Sequence, residues 1–390
     1  MNRKEFIARL GMAGFALSAS PVVNSSIFAT ATAAPSKKIR VGVIGCGSVS
    51  GVYLPHLTAS PYAEVVSLCD IKPERAARRA QEFNVKNTYP HIDEMLSGVE
   101  FDLLVNLTNM QEHGHLNRQA LMAKKYVWSE KPMANTYDEG RELYELAIKL
   151  GTRIWGAPAV VDSPQFAFMA KQLNAGKLGR VAAAHAHYGH QGPGWSAFFY
   201  EKGGGSLPDL GVYNISTLTG LLGPAKSVVA MTNVVTPTRN VDDKGHIQVV
   251  AEDNAMIIME HQNNVLSHIQ CGFNYFDPYG HEGTGQERPT ISLVGSEGNM
   301  HLVGYDWAPF GVDMATVADE KTRRYETDTK GYVWQEGASV ICEHLATGKE
   351  LLINAEHALH VLEIIEATRL SQAEGRRIQL RSSFKFPVVS

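Results

Sequence analysis

The sequence predicts an α/β fold in two parts. A parallel sheet flanked by helices comes first, and an α+β domain with an open, mostly antiparallel sheet follows. Three observations carry this expectation. From Lys38 to about Trp155, short β-branched runs alternate with helical stretches. The first run ends in Gly45-Cys46-Gly47. After Ala157 the texture changes to longer segments in which apolar and polar residues alternate. Repeated strand–helix units imply parallel strands joined by crossovers, whereas period-2 alternation implies a sheet with one covered face.

The elements follow in order. Ile39–Ile44 is an apolar strand, and the helix after it runs through Leu54 and Leu57. Val65–Cys69 is a second strand and ends at Asp70. Pro73 opens a charged helix to Phe83, where its missing N–H is tolerated in the first turn. Asp102–Leu107 reads as a buried strand and Leu116–Met122 as a helix. Tyr126-Val127-Trp128 is a strand leading into Glu130-Lys131-Pro132. Tyr137–Leu150 is a helix closed by Gly151, and Arg153-Ile154-Trp155 is the last strand of the first part. In the second part Ser163-Pro164 opens a helix to Asn174. Strands are expected at Val181–His187, Ser227–Val235, Ile247–Val250, Asn254–Glu260, Val265–Cys271 and Thr290–Val294, and a long helix at Ala355–Ala373. The domain bounds read as 34–157 and 158–390.

Residues 1–33 are set apart as a leader. Arg3, Lys4 and Arg9 give a basic start, Leu10 to Val23 is mildly apolar, and small residues follow around Ala29 to Ala33. These are the three parts of an export signal, with a core too short to span a bilayer. Asn2-Arg3-Lys4-Glu5-Phe6-Ile7 resembles a twin-arginine signal with lysine in the second place. The alternatives are a disordered tail or an uncleaved anchor. A periplasmic or otherwise exported bacterial protein is expected, or a cytoplasmic one if the leader is unused. Removing the leader moves the formal charge from −4 to −6, which argues against a nucleic-acid surface. No membrane contact is expected after its removal. Cys46, Cys69, Cys271 and Cys342 have no paired spacing and read as packed thiols.

Gly45-Cys46-Gly47-Ser48-Val49-Ser50 is a Gly-x-Gly-x-x-Ser version of the dinucleotide fingerprint. Gly45 makes the tight turn, and Gly47 lets backbone N–H groups at Ser48 and Val49 approach a pyrophosphate. The motif follows a strand, opens a helix and meets an acid, Asp70, at the end of the next strand. Asp70 would accept hydrogen bonds from the adenosine ribose and repel a 2′-phosphate. A Rossmann domain binding NAD, with NADP disfavoured, is therefore expected; Lys72 and Arg75 soften that preference.

Further along stand Gly203-Gly204-Gly205 and Asp209-x-x-x-Tyr213. Oxidising a secondary alcohol needs a group to take the hydroxyl proton as hydride leaves. A tyrosine, with an ordinary pKa near 10, needs a nearby cation to serve. Lys131 supplies one in this reading, Tyr213 is the acid/base, and Asp209, one turn earlier, holds a substrate hydroxyl and orients Lys131. The glycines leave room for substrate or cofactor. Glu130 is either structural or a nicotinamide-ribose contact. His185, His187 and His190 invite a metal reading, but no acid sits nearby and the chemistry needs no metal; His187 and His190 read as substrate-pocket residues or as packing. Trp195, with Phe198, Phe199 and Tyr200, forms either a sugar-stacking face or a core cluster.

The glycine loop, Thr108 to His113 ahead of a helix, Glu130-Lys131-Pro132, and the triple glycine with Asp209 and Tyr213 together resemble the Gfo/Idh/MocA oxidoreductases. The resemblance covers nearly the whole chain after the leader. Asn109-Met110 departs from the Pro-Asn more usual there, and Tyr213 follows the glucose–fructose oxidoreductase branch. The resemblance implies catalytic or substrate-binding roles for Lys131 and Asp209. It places Thr108, His113 and Glu130 at the cofactor, makes Lys131-Pro132 cis, and implies a homodimer or homotetramer. The expected activity is oxidation of a ring hydroxyl of a sugar or glycoside by tightly bound, internally recycled NAD. That covers a sugar–sugar oxidoreductase or a glycoside 3-dehydrogenase. The alternatives are a non-hydrolytic NAD-dependent glycosidase and a non-catalytic NAD-binding sensor.

Overall fold

The computed structural model describes residues 37–278 and 287–389. The leader lies outside these residues.

Six parallel strands build the first sheet: β1 (Ile39–Ile44), β2 (Ala63–Cys69), β3 (Asn87–Tyr89), β4 (Leu103–Asn106), β5 (Tyr126–Ser129) and β6 (Ile154–Gly156). Their order is β3-β2-β1-β4-β5-β6. The order reverses direction between β1 and β4, so a crevice opens beyond the carboxyl ends of these two strands. The helices α1 (Ser50–Ala59), α2 (Pro73–Phe83), α3 (Ile92–Ser97), α4 (His113–Met122) and α5 (Tyr137–Leu150) connect them. Strand β4 is buried at every residue, as a central strand covered on both faces must be. Thr136 caps α5 by accepting from the Glu139 N–H at 3.2 Å, and Gly151 ends it in a left-handed turn.

After α6 (Pro164–Asn174) comes the second sheet. Its strands are β7 (Val181–Gly189), β8 (Ala225–Asn233), β11 (Asn254–His261), β12 (Leu266–Gly272), β13 (Pro289–Gly295), β14 (Gly298–Tyr305), β15 (Ala308–Thr316), β16 (Asp319–Tyr325) and β17 (Ile378–Gln379). The order is β16-β15-β14-β13-β7-β12-β11-β8-β17, antiparallel except for the β7–β12 pair. The separate hairpin β9 (Thr238–Val241) and β10 (Gly245–Gln248) takes up the expected strand at Ile247. Helices α7 (Val212–Leu222) and α9 (Ala355–Glu374) cover one face. The other face leaves Met231, Met256, Ile258 and Leu266 exposed.

The last third of the chain returns to the first sheet. The α8 (Gly337–Thr347) start packs on Trp128, whose Cη2 lies 2.3 Å from where a Gly337 Cβ would be. Trp128 is fully buried, and truncating such an indole costs about 3–5 kcal/mol. Leu359 and Leu362 of α9 join the core of α5; a Cβ on Gly140 would meet both at 2.9 Å. The described residues therefore pack as one unit. Among the described residues, no helix is long and apolar enough to cross a membrane.

Strands β14 to β16 escape the sequence reading. β16 is an edge strand of sequence DEKTRRY with its side chains largely in solvent, so it has no apolar alternation to detect.

Candidate active site

The glycine loop forms directly over the end of β4. Gly45 has φ 91°, and a Cβ there would lie 2.5 Å from the Leu107 carbonyl carbon. Asp70 ties the loop to the end of β2: Oδ2 accepts from the Cys46 N–H at 2.8 Å and Oδ1 from the Lys72 N–H at 2.8 Å. The Ser50 hydroxyl donates to Gly47 O at 2.8 Å, and Arg79 donates to Ser50 Oγ at 3.1 Å and to Gly47 O at 3.2 Å. Arg79 gives no motif signal, because its part depends on α2 packing beside the loop. Above Gly47, the position of a Cβ is open, with Arg75 Nη1 at 3.9 Å its only close neighbour among the described residues. Ser48 and Val49 lead into α1, whose first turn carries no acid and no side-chain cap. An open cradle at a helix N-terminus with an acid beside it fits a dinucleotide.

The exits of β4 and β5 are bound together. Thr108 Oγ1 donates to Asn106 Oδ1 at 2.7 Å. Asn106 donates to Asn117 Oδ1 at 2.9 Å, and Asn117 donates to Ser129 Oγ at 2.9 Å and Met133 O at 3.0 Å. His113, expected at the cofactor, is 1% exposed and has both ring nitrogens on backbone oxygens, Pro132 O at 2.7 Å and Thr108 O at 3.1 Å. Burial lowers its pKa against the pull of those carbonyls. Its ring therefore joins two loops. Glu130 is equally engaged: Oε1 accepts from the Tyr53 hydroxyl at 2.6 Å and Oε2 from the Lys131 N–H at 3.0 Å. Of its two sequence readings, these bonds support the structural one. The Lys131–Pro132 bond is cis.

This frame carries Lys131 across to the second domain. Its Nζ donates to Asp209 Oδ1 at 2.7 Å and to Asp209 O at 3.0 Å, and it lies 5.2 Å from the centre of the Tyr213 ring. Asp209 stands in a π-helical turn, Leu207–Gly211, that runs into α7. Both side chains of the pair are 11% exposed. The expected lowering of the Tyr213 pKa is not found. Burial foremost, then the carboxylates of Glu130, Asp209 and Asp306, push the phenol well above its ordinary value. The reason is geometric: Asp209 balances the Lys131 charge, and the ammonium lies over the ring. The phenol therefore holds its proton more tightly than a free tyrosine does.

The other candidates lie as follows. The β7 alternation sends Ala184, Ala186 and Tyr188 inward and His185 and His187 to the outer face, so His187 is away from Tyr213. Tyr188 takes the inward place, 6.2 Å from the Tyr213 ring. His190 is buried, with Nδ1 accepting from the Gly192 N–H at 2.9 Å, and its ring meets Tyr188 at 6.1 Å. Trp195 is 43% exposed and edge-on to Phe199 at 5.4 Å. It sits on the loop that Gln111 holds by donating to Phe198 O at 2.8 Å. Gly204 and Gly205 make room for protein: added Cβ atoms would lie 2.4 Å from Phe198 O and 2.2 Å from Glu252 Oε1. Among the described residues, no three His, Cys, Asp or Glu side chains converge as a metal site.

The sequence reading also missed Tyr53 and the aromatic group Trp307 and Trp334. Trp334 is edge-on to Tyr213 at 6.5 Å and to Tyr53 at 6.2 Å, and meets Trp307 at 6.3 Å. Only the strand period could have pointed to Tyr188; the tryptophans come from loops whose path depends on tertiary packing.

A dinucleotide cradle facing a lysine, an acid and a phenol defines a two-domain NAD-dependent oxidoreductase. The chain belongs to the Gfo/Idh/MocA family. The profile described as "Oxidoreductase family, NAD-binding Rossmann fold" matches residues 39–157, and the Gfo/Idh/MocA C-terminal domain profile matches residues 166–301. D-apiose dehydrogenase of Paraburkholderia graminis is 25% identical over 372 residues, covering 90% of this chain and 92% of that protein. D-glucoside 3-dehydrogenase of Escherichia coli K12 is 30% identical over 209 residues, covering 51% and 59%. A levoglucosan dehydrogenase solved with NADH and L-sorbose superposes with a TM-score of 0.74 at 18% identity, covering 88% of this chain and 99% of that one.

Proposed function

We propose that this enzyme oxidises a ring hydroxyl of a sugar or glycoside, with NAD held in the cradle of Gly45, Gly47, Ser48, Val49 and Asp70. The observation that carries this reading is the Lys131–Asp209 pair beside Tyr213, just past the carboxyl end of β5. The names of the glucoside and levoglucosan relatives support the substrate class. When bound, the nicotinamide supplies the hydride acceptor. Tyr213, kept protonated by burial, donates a hydrogen bond to the reacting oxygen. The Lys131 ammonium, aimed by Asp209, is the second donor to that oxygen. The hydroxyl proton passes to the Lys131–Asp209 pair.

The basic-apolar-small leader supports export, and export favours cofactor that stays bound and is recycled in place, because free NAD is scarce outside the cytoplasm. The exposed apolar face of the second sheet supports a homo-oligomer. The test is to purify the protein from the periplasmic fraction, release and identify any nicotinamide, and follow nicotinamide absorbance while sugars and glycosides are added. Formation of NADH with a keto-sugar product supports the reading. An unchanged NAD/NADH ratio with every sugar and glycoside rejects it.

A further inference from the structure

Arg79 is a largely buried cation that the chemistry above does not use; its side chain is 11% exposed. It stands on α2, outside the glycine fingerprint, and reaches the fingerprint from beside α1. Its Nη2 donates to the Gly47 carbonyl at 3.2 Å and its Nε to Ser50 Oγ at 3.1 Å, while Nη1 pairs with Glu82 at 2.5 Å. The Ser50 hydroxyl, itself on a fully buried residue, donates to the same Gly47 carbonyl at 2.8 Å. Serine thus stands where the fingerprint usually ends in a smaller residue, and here it links the loop to α2. Gly51 leaves the space for this: a Cβ there would lie 2.4 Å from Arg79 Nη2. The consequence for the cradle follows from peptide geometry. The Gly47 C=O and the Ser48 N–H belong to one planar trans unit and point to opposite sides of the chain. Two donors that hold the carbonyl on the α2 side therefore turn the Ser48 N–H to the other side. Neither the Ser48 nor the Val49 N–H has a protein acceptor among the described residues. Such donors at the start of a helix suit the oxygens of a pyrophosphate.

We propose that Arg79 is a positioning residue of the dinucleotide site: through the Gly47 carbonyl and Ser50 it fixes the Gly47–Ser48 peptide so that the Ser48 N–H faces the pyrophosphate of NAD. The inference rests on the reading of Gly45 to Val49 as the NAD cradle.

The test titrates NADH and ADP-ribose into the full-length protein, read by nicotinamide fluorescence and calorimetry, with thermal melting followed in parallel. Arg79→Met keeps the apolar stem and removes the guanidinium. It is expected to raise Kd about 10- to 100-fold, the range of a hydrogen bond to a charged group, and by the same factor for both ligands because they share the adenosine pyrophosphate. Gly51→Ala approaches from the other side. Its methyl displaces the flexible end of Arg79 while alanine favours the helix, so Tm is held or raised and Kd still rises several-fold. In the Arg79→Met background the same alanine should leave Kd nearly unchanged, because the contact it disturbs is already gone. A loss there as large as in the wild type would assign the effect to the methyl itself and overturn the inference. An Arg79 that only packs α2 against α1 would lower Tm in Arg79→Met with Kd unmoved, and would leave Kd unmoved in Gly51→Ala; either overturns the inference. So does weakened NADH binding with unaltered ADP-ribose binding. If Arg79→Met does not fold, Gly51→Ala decides through its Kd set against its Tm. A wild type that binds neither ligand removes the cradle reading together with this one, whereas wild-type binding with unmoved variants removes only the part of Arg79.

Discussion

Replacing Tyr213 by Phe separates chemistry from architecture. Among the described residues no hydrogen bond claims the Tyr213 hydroxyl, and its ring is held by Tyr188, Trp334 and the Lys131 ammonium. Phenylalanine keeps those ring contacts. Losing an unpartnered hydroxyl changes stability by less than about 1 kcal/mol, since no buried acceptor is orphaned. For a unit of this size that is a shift of about 2 °C or less in Tm. The catalytic loss is much larger. A positioned hydrogen-bond donor at the reacting oxygen contributes about 10²–10³ in rate, so kcat is expected to fall by that factor while the Kd for NAD stays within about twofold. Scanning fluorimetry, NAD titration and steady-state kinetics on one preparation give all three numbers. An unchanged kcat would remove Tyr213 from the chemistry, and a parallel loss of NAD affinity and turnover would make it a structural residue.

Tyr53→Phe should behave oppositely. It strips Glu130 of a buried 2.6 Å hydrogen bond, and is expected to cost about 1.5–3 kcal/mol in chemical denaturation with weakened NAD retention. A denaturation midpoint equal to the wild type would show that Glu130 does not depend on Tyr53. Gly205→Ala forces a residue at φ 117° with its Cβ 2.2 Å from Glu252, which Arg369 holds in an ion pair at 3.2 Å. A loss of about 3 kcal/mol or more, read as a lowered Tm, is expected. For pH, burial raises Asp306 from 3.8 to about 6, so the folded state binds this proton more tightly than the unfolded chain. Its contribution to stability is greatest below about pH 4 and declines as pH rises through 6, by about 3 kcal/mol in all. Burial also raises Asp162 to about 7, with the same sign. Asp306→Asn should flatten the fall in denaturation free energy between pH 4 and 6, and an unaltered slope would refute the assignment.

Much of the first domain was legible because its signals are local. An apolar run, a tight glycine turn and an acid at the next strand end report their own conformations, and the loops they form lie where expected. The residues Lys131, Asp209 and Tyr213 were also legible, and they meet in space. Their electrostatics were not. A phenol's pKa depends on burial and on every carboxylate within reach, and Asp306 comes from a turn that nothing near Tyr213 in sequence announces. His187 shows the same limit at short range: one residue along a strand reverses the face, and which face is covered is decided by where α7 and α9 pack.

By itself, then, the sequence determined the two-part α/β plan, the cradle at Gly45 to Ser50 and the identity of the lysine, acid and phenol. Backbone periodicity and turn chemistry act over a few residues and leave their mark in order. Only the tertiary structure decided that His113 and Glu130 brace loops, that Tyr188 and Trp334 flank the phenol, and that Lys131 is spent on Asp209. Those outcomes depend on which distant segments share a low-dielectric interior, where burial and pairing of charges outweigh any preference of the residue itself.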